Sequence, residues 1–206
     1  MDLTNIKNIA FDLGGIIITL DHIAAISRFR EIGLNWADQF LNPYHQQGIF
    51  RELEEGRLTQ EQFAEEVSKD AGKTITTQQI SYAMMGFVKE MPLYKLDLLE
   101  DLRRRGFNLY LLSNTNPILM DWAFSDTFTE YGKGIDKYFD KLYLSYLIGY
   151  TKPSPEIFQY MLKDSGVVPT ETLFIDDSEA NIEMGKQIGF HTYLAGNGED
   201  FRHIFN

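Results

Sequence analysis

The sequence predicts an α/β fold, a parallel-sheet core interrupted by an inserted all-helical cap, and three observations predict it. After Pro92, short apolar runs alternate with helical patterns, the order that gives a parallel sheet with crossover helices. Residues 21–91, by contrast, carry helical periodicity and no convincing strand pattern. Finally, two apolar runs 164 residues apart end in acids: Ile9-Ala10-Phe11 runs into Asp12-Leu13-Gly14-Gly15, and Leu173-Phe174-Ile175 into Asp176-Asp177-Ser178. Ligands of open α/β sheets bind outside the carboxyl ends of the strands, so acids delivered there from distant segments can hold one divalent cation.

The first strand covers 9–11. In the segment that follows, Ile23, Ile26 and Phe29 form one apolar stripe, and Thr59-Gln60-Glu61-Gln62 reads as a capping box ahead of Phe63 and Val67. Ile80, Met84, Phe87 and Val88 mark a further helix, and Trp36, Phe40 and Tyr44 are expected to pack within the same unit, or alternatively to line it. Entry near Asp21 and return near Met91-Pro92 divide the chain into a core of residues 1–20 and 92–206 and a cap of residues 21–91. A helix carrying Leu96, Leu99 and Leu102 then ends in Arg103-Arg104-Arg105-Gly106. Cations in a last turn followed by glycine complement a helix C-terminus, so the triplet reads as structural and not as a phosphate site. A strand at 108–112, a helix from Pro117, a strand near 142–144 and a helix from Pro155 with Ser154 as its N-cap come next. The strand at 173–175, a helix at 179–188 and a strand at 190–194 complete the order.

Composition narrows the function. A chain of 206 residues with 44% hydrophobic and 24% charged residues is that of an ordinary globular protein. No segment approaches the roughly 18 uninterrupted apolar residues of a membrane span, and Met1-Asp2-Leu3-Thr4 opens no export signal, so a cytoplasmic protein without a membrane partner is expected. The absence of cysteine excludes disulfides, thiolate nucleophiles and cysteine-held zinc. A formal net charge of -11 argues against nucleic acid as a partner, because phosphate backbones are bound by basic faces. A small anionic substrate remains, provided positive charge is concentrated at its site.

Four short segments fall at the expected strand ends and helix starts: Asp12, Ser113-Asn114-Thr115, Lys152-Pro153 and Asp176-Asp177. Their order resembles the haloacid-dehalogenase (HAD) superfamily of aspartate-nucleophile hydrolases, over nearly the whole chain. That resemblance implies a Rossmann-like parallel core with an inserted cap. More narrowly, 112–116, Tyr143-Leu144-Ser145, Lys152-Pro153 and Phe174-Ile175-Asp176-Asp177 with Asn181-Ile182-Glu183 are similar to a bacterial subgroup that includes glucose-1-phosphate phosphatases.

By that resemblance Asp12 is the nucleophile, attacking phosphorus to form an aspartyl-phosphate that water hydrolyses. Mg²⁺ is the implied cofactor, held by Asp12, the Gly14 carbonyl and Asp177, with Asp176 ligating directly or through water and Asn181 in support. Ser113 and Asn114 are implied to bind the phosphate, and Lys152 to balance its charge and that of Asp12. The sequence departs from the family's ordinary phosphatases at Gly14, where they carry a second acid for proton transfer. Two outcomes follow from that gap. Either the substrate has an easy leaving group, such as a sugar 1-phosphate, or another side chain such as Asp21, His22 or His45 gives the proton. A small phosphorylated metabolite is therefore the expected substrate, with metal-independent 2-haloacid dehalogenation and non-catalytic phospholigand binding as alternatives.

Overall fold

The computed structural model of the protein describes residues 3–41 and 46–205. Strands β1 (Asn8–Phe11) and β2 (Thr19–Leu20) precede helices α1 (His22–Glu31), α2 (Gly48–Glu54), α3 (Gln60–Ala71) and α4 (Thr77–Met84). The chain continues through β3 (Val88–Glu90), α5 (Leu93–Arg104), β4 (Asn108–Ser113), α6 (Pro117–Phe124), β5 (Lys141–Leu144) and α7 (Ser145–Ile148). It ends with α8 (Pro155–Ser165), β6 (Thr172–Asp176), α9 (Glu179–Ile188) and β7 (His191–Leu194).

Five strands form one parallel sheet in the order β5-β4-β1-β6-β7. Alternate residues of a strand face opposite sides, and the sequence uses both faces. Ile9 and Phe11 join Leu96, Leu99, Leu102 and Met120 on the side of α5 and α6, whereas Ala10 joins Ile157, Phe158 and Ile182 on the side of α8 and α9. β1 lies in the middle of the sheet. Phe11 pairs in register with Leu111 and with Ile175, so the residues that follow these three strands emerge side by side at one edge.

Helices α1 to α4 gather around a separate apolar cluster. Phe50 stacks edge-on against Phe29 at 5.2 Å and Phe63 at 5.3 Å between ring centres, and Ile118 of α6 closes the cluster from the sheet side. The capping box at Thr59 forms with Gln62, and Trp36 packs against Phe40 and Phe50. Tyr44 lies outside the described residues.

Two expectations are corrected. Val88 belongs to β3, which pairs antiparallel with β2, so the chain enters and leaves the helical segment through a two-stranded ribbon. A 3₁₀ turn over Met85–Phe87 follows α4, and the Asp21 amide bonds the Phe87 carbonyl at 2.8 Å to start the ribbon. Ile23 is also not in the buried stripe, because Asp21 caps α1 and sets its phase so that Ala25 and Phe29 point inward, leaving Ile23 82% exposed. The arginine triplet is structural as read: Arg103 bonds the Lys137 carbonyl, Arg104 pairs with Asp101, and Arg105 bonds the Phe205 carbonyl. Among the described residues no helix is long and apolar enough to cross a membrane.

The backbones of α1 and residue 86 touch. A β-carbon at Gly86 would stand 2.6 Å from Ala25 Cα and 2.9 Å from its nitrogen, atoms that cannot turn aside. Gly86→Ala should therefore cost about 1–3 kcal/mol in urea unfolding, as overpacking does elsewhere, whereas a change of under about 0.5 kcal/mol would contradict this packing.

Candidate active site

The sheet register decides which groups meet. Asp12 leaves β1 buried, and its Oδ1 accepts the Leu13 amide at 2.7 Å and the Lys152 ammonium at 3.0 Å. Lys152 precedes α8 and is fully buried. Its Nζ donates to Asp176 Oδ2 at 2.7 Å and to the Leu112 carbonyl at 2.7 Å, so its three donors are all engaged. Burial opposes the charge of Lys152, but the Asp12 and Asp176 carboxylates outweigh it and hold its pKa above the ordinary lysine value.

Asn114 fixes the lysine's backbone. Its side-chain amide donates to the Lys152 carbonyl at 2.9 Å and accepts the Lys152 amide at 2.7 Å. The residue implied to bind substrate thus spends both ends of its amide on positioning Lys152, although it also lines the cleft. Ser113 is buried at the end of β4 and lines the same cleft.

The two adjacent acids have different surroundings. Asp176 is fully buried, and its Oδ1 accepts the Ser178 amide and the Asn181 side-chain amide, both at 2.9 Å. Those bonds and Lys152 make it the counter-charge of the lysine. Asp177 projects into the cleft, where burial and the carboxylates of Asp12 and Asp176 push its pKa up to about 7. Burial, only partly offset by Lys152, likewise raises Asp12 to about 6. Gly15 permits the arrangement: it sits at φ +73°, and a β-carbon there would overlap the Asp177 carboxylate.

These groups fit a hard cation. Oxygens of Asp12, Asp176 and Asp177 lie within 4.8 Å of one another, against the single ammonium of Lys152. Asn181 Oδ1, lining the cleft, is buried without a hydrogen-bond partner. Magnesium, an octahedral oxygen-seeking ion that keeps several waters, matches an all-oxygen site with an orphaned acceptor beside it. Asp12 and Asp177 would hold it, with the Gly14 carbonyl, on the same wall of the cleft, as the further ligand implied by resemblance.

The cleft has roughly 800 Å³ of empty space including its mouth. Its far wall comes from the helical segment, chiefly Leu41, Phe50, Met84 and Phe87. His22 lines it, packed edge-on against Phe87, and burial lowers its pKa. Asp21 is occupied as the cap of α1, accepting the Ala24 amide at 2.9 Å, and His45 lies outside the described residues.

Sequence reasoning missed three contributors. Glu54, the last residue of α2, also lines the cleft; one of three acids in Glu52-Leu53-Glu54-Glu55, it gave no signal of its own. Lys95 is buried and donates to the Ile16 carbonyl, tying down the loop after Asp12. Asn197 bonds both the amide and the carbonyl of Leu20, at 2.9 and 3.0 Å, where the chain passes towards the cap. The helical register around Lys95 could have flagged a charge among leucines; nothing local marks Asn197.

Removing the ammonium leaves two buried carboxylates unpaired. Lys152→Met should lose about 3–5 kcal/mol in urea unfolding with chelator present, and a loss under about 1 kcal/mol would contradict the pairing. Magnesium binding should also depend on pH. In the metal-free protein Asp177 keeps a proton that the unfolded chain has already lost, so its contribution to stability declines as pH rises from about 4 through 7. A cation must displace that proton, so calorimetry should find proton release and weaker magnesium binding at about pH 6 and little release near pH 8. Equal affinities at the two pH values would contradict the assignment of Asp177.

Comparison with known proteins agrees with the geometry. The D-ribitol-5-phosphate phosphatase of Bacteroides thetaiotaomicron is 49% identical over 197 residues, covering 96% of this chain and 95% of that protein. A predicted HAD-like family hydrolase of Porphyromonas gingivalis superposes with a TM-score of 0.93 at 43% identity, over 97% of this chain and 96% of that one. A HAD family enzyme of B. thetaiotaomicron, solved with magnesium and inorganic phosphate, superposes with a TM-score of 0.88 at 39% identity, over 98% of this chain and all (100%) of that one. Residues 6–189 match the haloacid dehalogenase-like hydrolase family, which spans both the strand-end acids and the inserted helices, and the chain belongs to that family.

Proposed function

We propose that the protein is a magnesium-dependent phosphatase that moves the phosphoryl group of a small phosphorylated polyol first to Asp12 and then to water. The observation that carries this reading is the buried Asp12, held by Lys152 on one side and facing Asp177 and the cleft on the other. Above about pH 6 Asp12 is ionised, and the Leu13 amide and Lys152 both bond Oδ1, which leaves Oδ2 to attack. Lys152 stays charged throughout and offsets the charge that collects as the phosphate arrives. Ser113, at the base of the cleft, can donate its hydroxyl proton to a phosphoryl oxygen. Bound magnesium supplies Lewis-acid neutralisation of the phosphoryl oxygens.

The polyol reading draws on the relative that acts on D-ribitol 5-phosphate and on a cleft sized for a small metabolite. Its wall of Leu41, Phe50, Met84 and Phe87 excludes water around the ester, while His22 and Asn116 offer polar atoms to hydroxyl groups. A second reading, a sugar 1-phosphate, is favoured by Gly14, since an anomeric oxygen leaves with less help from an acid.

Measurement of kcat/KM with magnesium for ribitol 5-phosphate and glucose 1-phosphate separates the two. The polyol ester should be preferred by at least about 10-fold, a difference of about 1.4 kcal/mol in transition-state binding. The reverse preference would select the second reading. Asp12→Asn and chelation should each abolish turnover; halide release from a 2-haloacid without metal would instead indicate dehalogenation.

A further inference from the structure

A polyol phosphate leaves as an ordinary alkoxide, which needs a proton, and Gly14 cannot supply one. The carboxyl groups lining the cleft, among the described residues, are Asp12, Asp177 and Glu54. Asp12 and Asp177 are committed to phosphorus and metal. His22, the remaining ionisable neighbour, has its pKa lowered by burial and is neutral at pH 7, a poor donor.

Glu54 reaches the cleft from the helical segment, at the end of α2, and also borders the adjoining cavity formed with Arg51, Asn114 and Lys152. Its helix is docked on the core. Thr151 donates to Glu55 at 3.3 Å, and Gly56 lies so close to the Tyr146 backbone that a β-carbon there would overlap the Tyr146 carbonyl. Arg51 and Arg57, the arginines nearest in sequence, both form their ion pairs with Glu55 and not with Glu54. Among the described residues Glu54 forms no ion pair of its own.

We propose that Glu54 of the cap is the catalytic acid and base of this enzyme, acting from above the cleft in place of an acid at position 14. In the first step an Asp12 oxygen bonds to phosphorus, the bond from phosphorus to the ester oxygen breaks, and the Glu54 proton passes to that oxygen to release the alcohol. In the second, water attacks the phosphorus, one of its protons goes to the Glu54 carboxylate, and the bond to Asp12 breaks to release inorganic phosphate. Glu54 is then protonated again. Burial, with the neighbouring Asp12 and Glu55 carboxylates, pushes its pKa up to about 8, so the acid form is the resting form at neutral pH.

The assignment rests on the phosphatase reading, and Glu54→Gln tests it with two esters, ribitol 5-phosphate and p-nitrophenyl phosphate, in the presence of magnesium. The amide keeps the shape and the neutral state, and magnesium binding measured by calorimetry checks that the site is intact. On the alkyl ester kcat/KM should fall about 100- to 10,000-fold, the usual weight of general acid-base catalysis. p-Nitrophenolate leaves without a proton, so the variant should release one equivalent per enzyme in a burst within about 3-fold of the wild-type rate, followed by slow turnover as the base step fails. An alkyl-ester kcat/KM within about 3-fold of wild type, or a burst slowed as much as the alkyl reaction, overturns the role of Glu54 while leaving the phosphatase reading intact. Wild-type protein inert towards both esters overturns the phosphatase reading and this assignment with it.

Discussion

One ammonium group, buried between two carboxylates, sets the terms for the rest of this structure. Lys152 draws Asp12 from the end of β1 and Asp176 from the end of β6, and it takes the Leu112 carbonyl from β4. Three neighbouring strands are thereby joined at their carboxyl ends by one charge. An unpaired charge in such a place would cost several kcal/mol, so the ends of the strands cannot drift without losing its partners. Asn114 returns the constraint by gripping the lysine's backbone at both ends of its amide. Asp12, the proposed nucleophile, is consequently held by the sheet register itself, so that attack on a phosphate would need little reorganisation of its carboxylate.

Around this centre the labour divides between core and cap. The core supplies charge: Asp12, Lys152, Asp176 and Asp177 come from strand ends and one loop. The helical segment supplies an apolar wall and Glu54, and it reaches the core through the β2–β3 ribbon. Gly15 is required because the Asp177 carboxylate occupies the space a side chain would fill. Gly14 has a different meaning. Its φ is not left-handed, and the nearest atom to a β-carbon there would be Leu20 Cδ1, the end of a side chain that can turn aside, at 2.9 Å. The backbone does not forbid a side chain at 14, and a proton donor on the cap, as proposed for Glu54, would make one unnecessary.

The parallel core was legible because its signals are local. Apolar runs of four to six residues, capping residues and glycine stops reproduce α9 at its observed bounds and the strands to within a residue or two. The candidate site was legible for a related reason, since residues that follow parallel strands must share one edge. What escaped depends on tertiary phase. Ile23 satisfied helical spacing but faces outward because Asp21 sets where α1 starts. Val88 continued an apolar pattern into what became β3, since its pairing partner lies at Leu20, far back in the chain. Glu54 meets the cleft and Asn197 meets Leu20 only through the tertiary fold, and Asn114 turned inward to Lys152, where the motif pointed to phosphate.

If Asp12 is the group phosphorylated in turnover, acid quenching during turnover of a phosphomonoester with magnesium, followed by borohydride reduction and peptide mass mapping, should place the reduced acyl phosphate at Asp12 and at no other carboxylate. A reduced site elsewhere, or phosphate formed with no acyl phosphate at any time in the first turnover, would rule out the proposed attack by Asp12 beside Lys152.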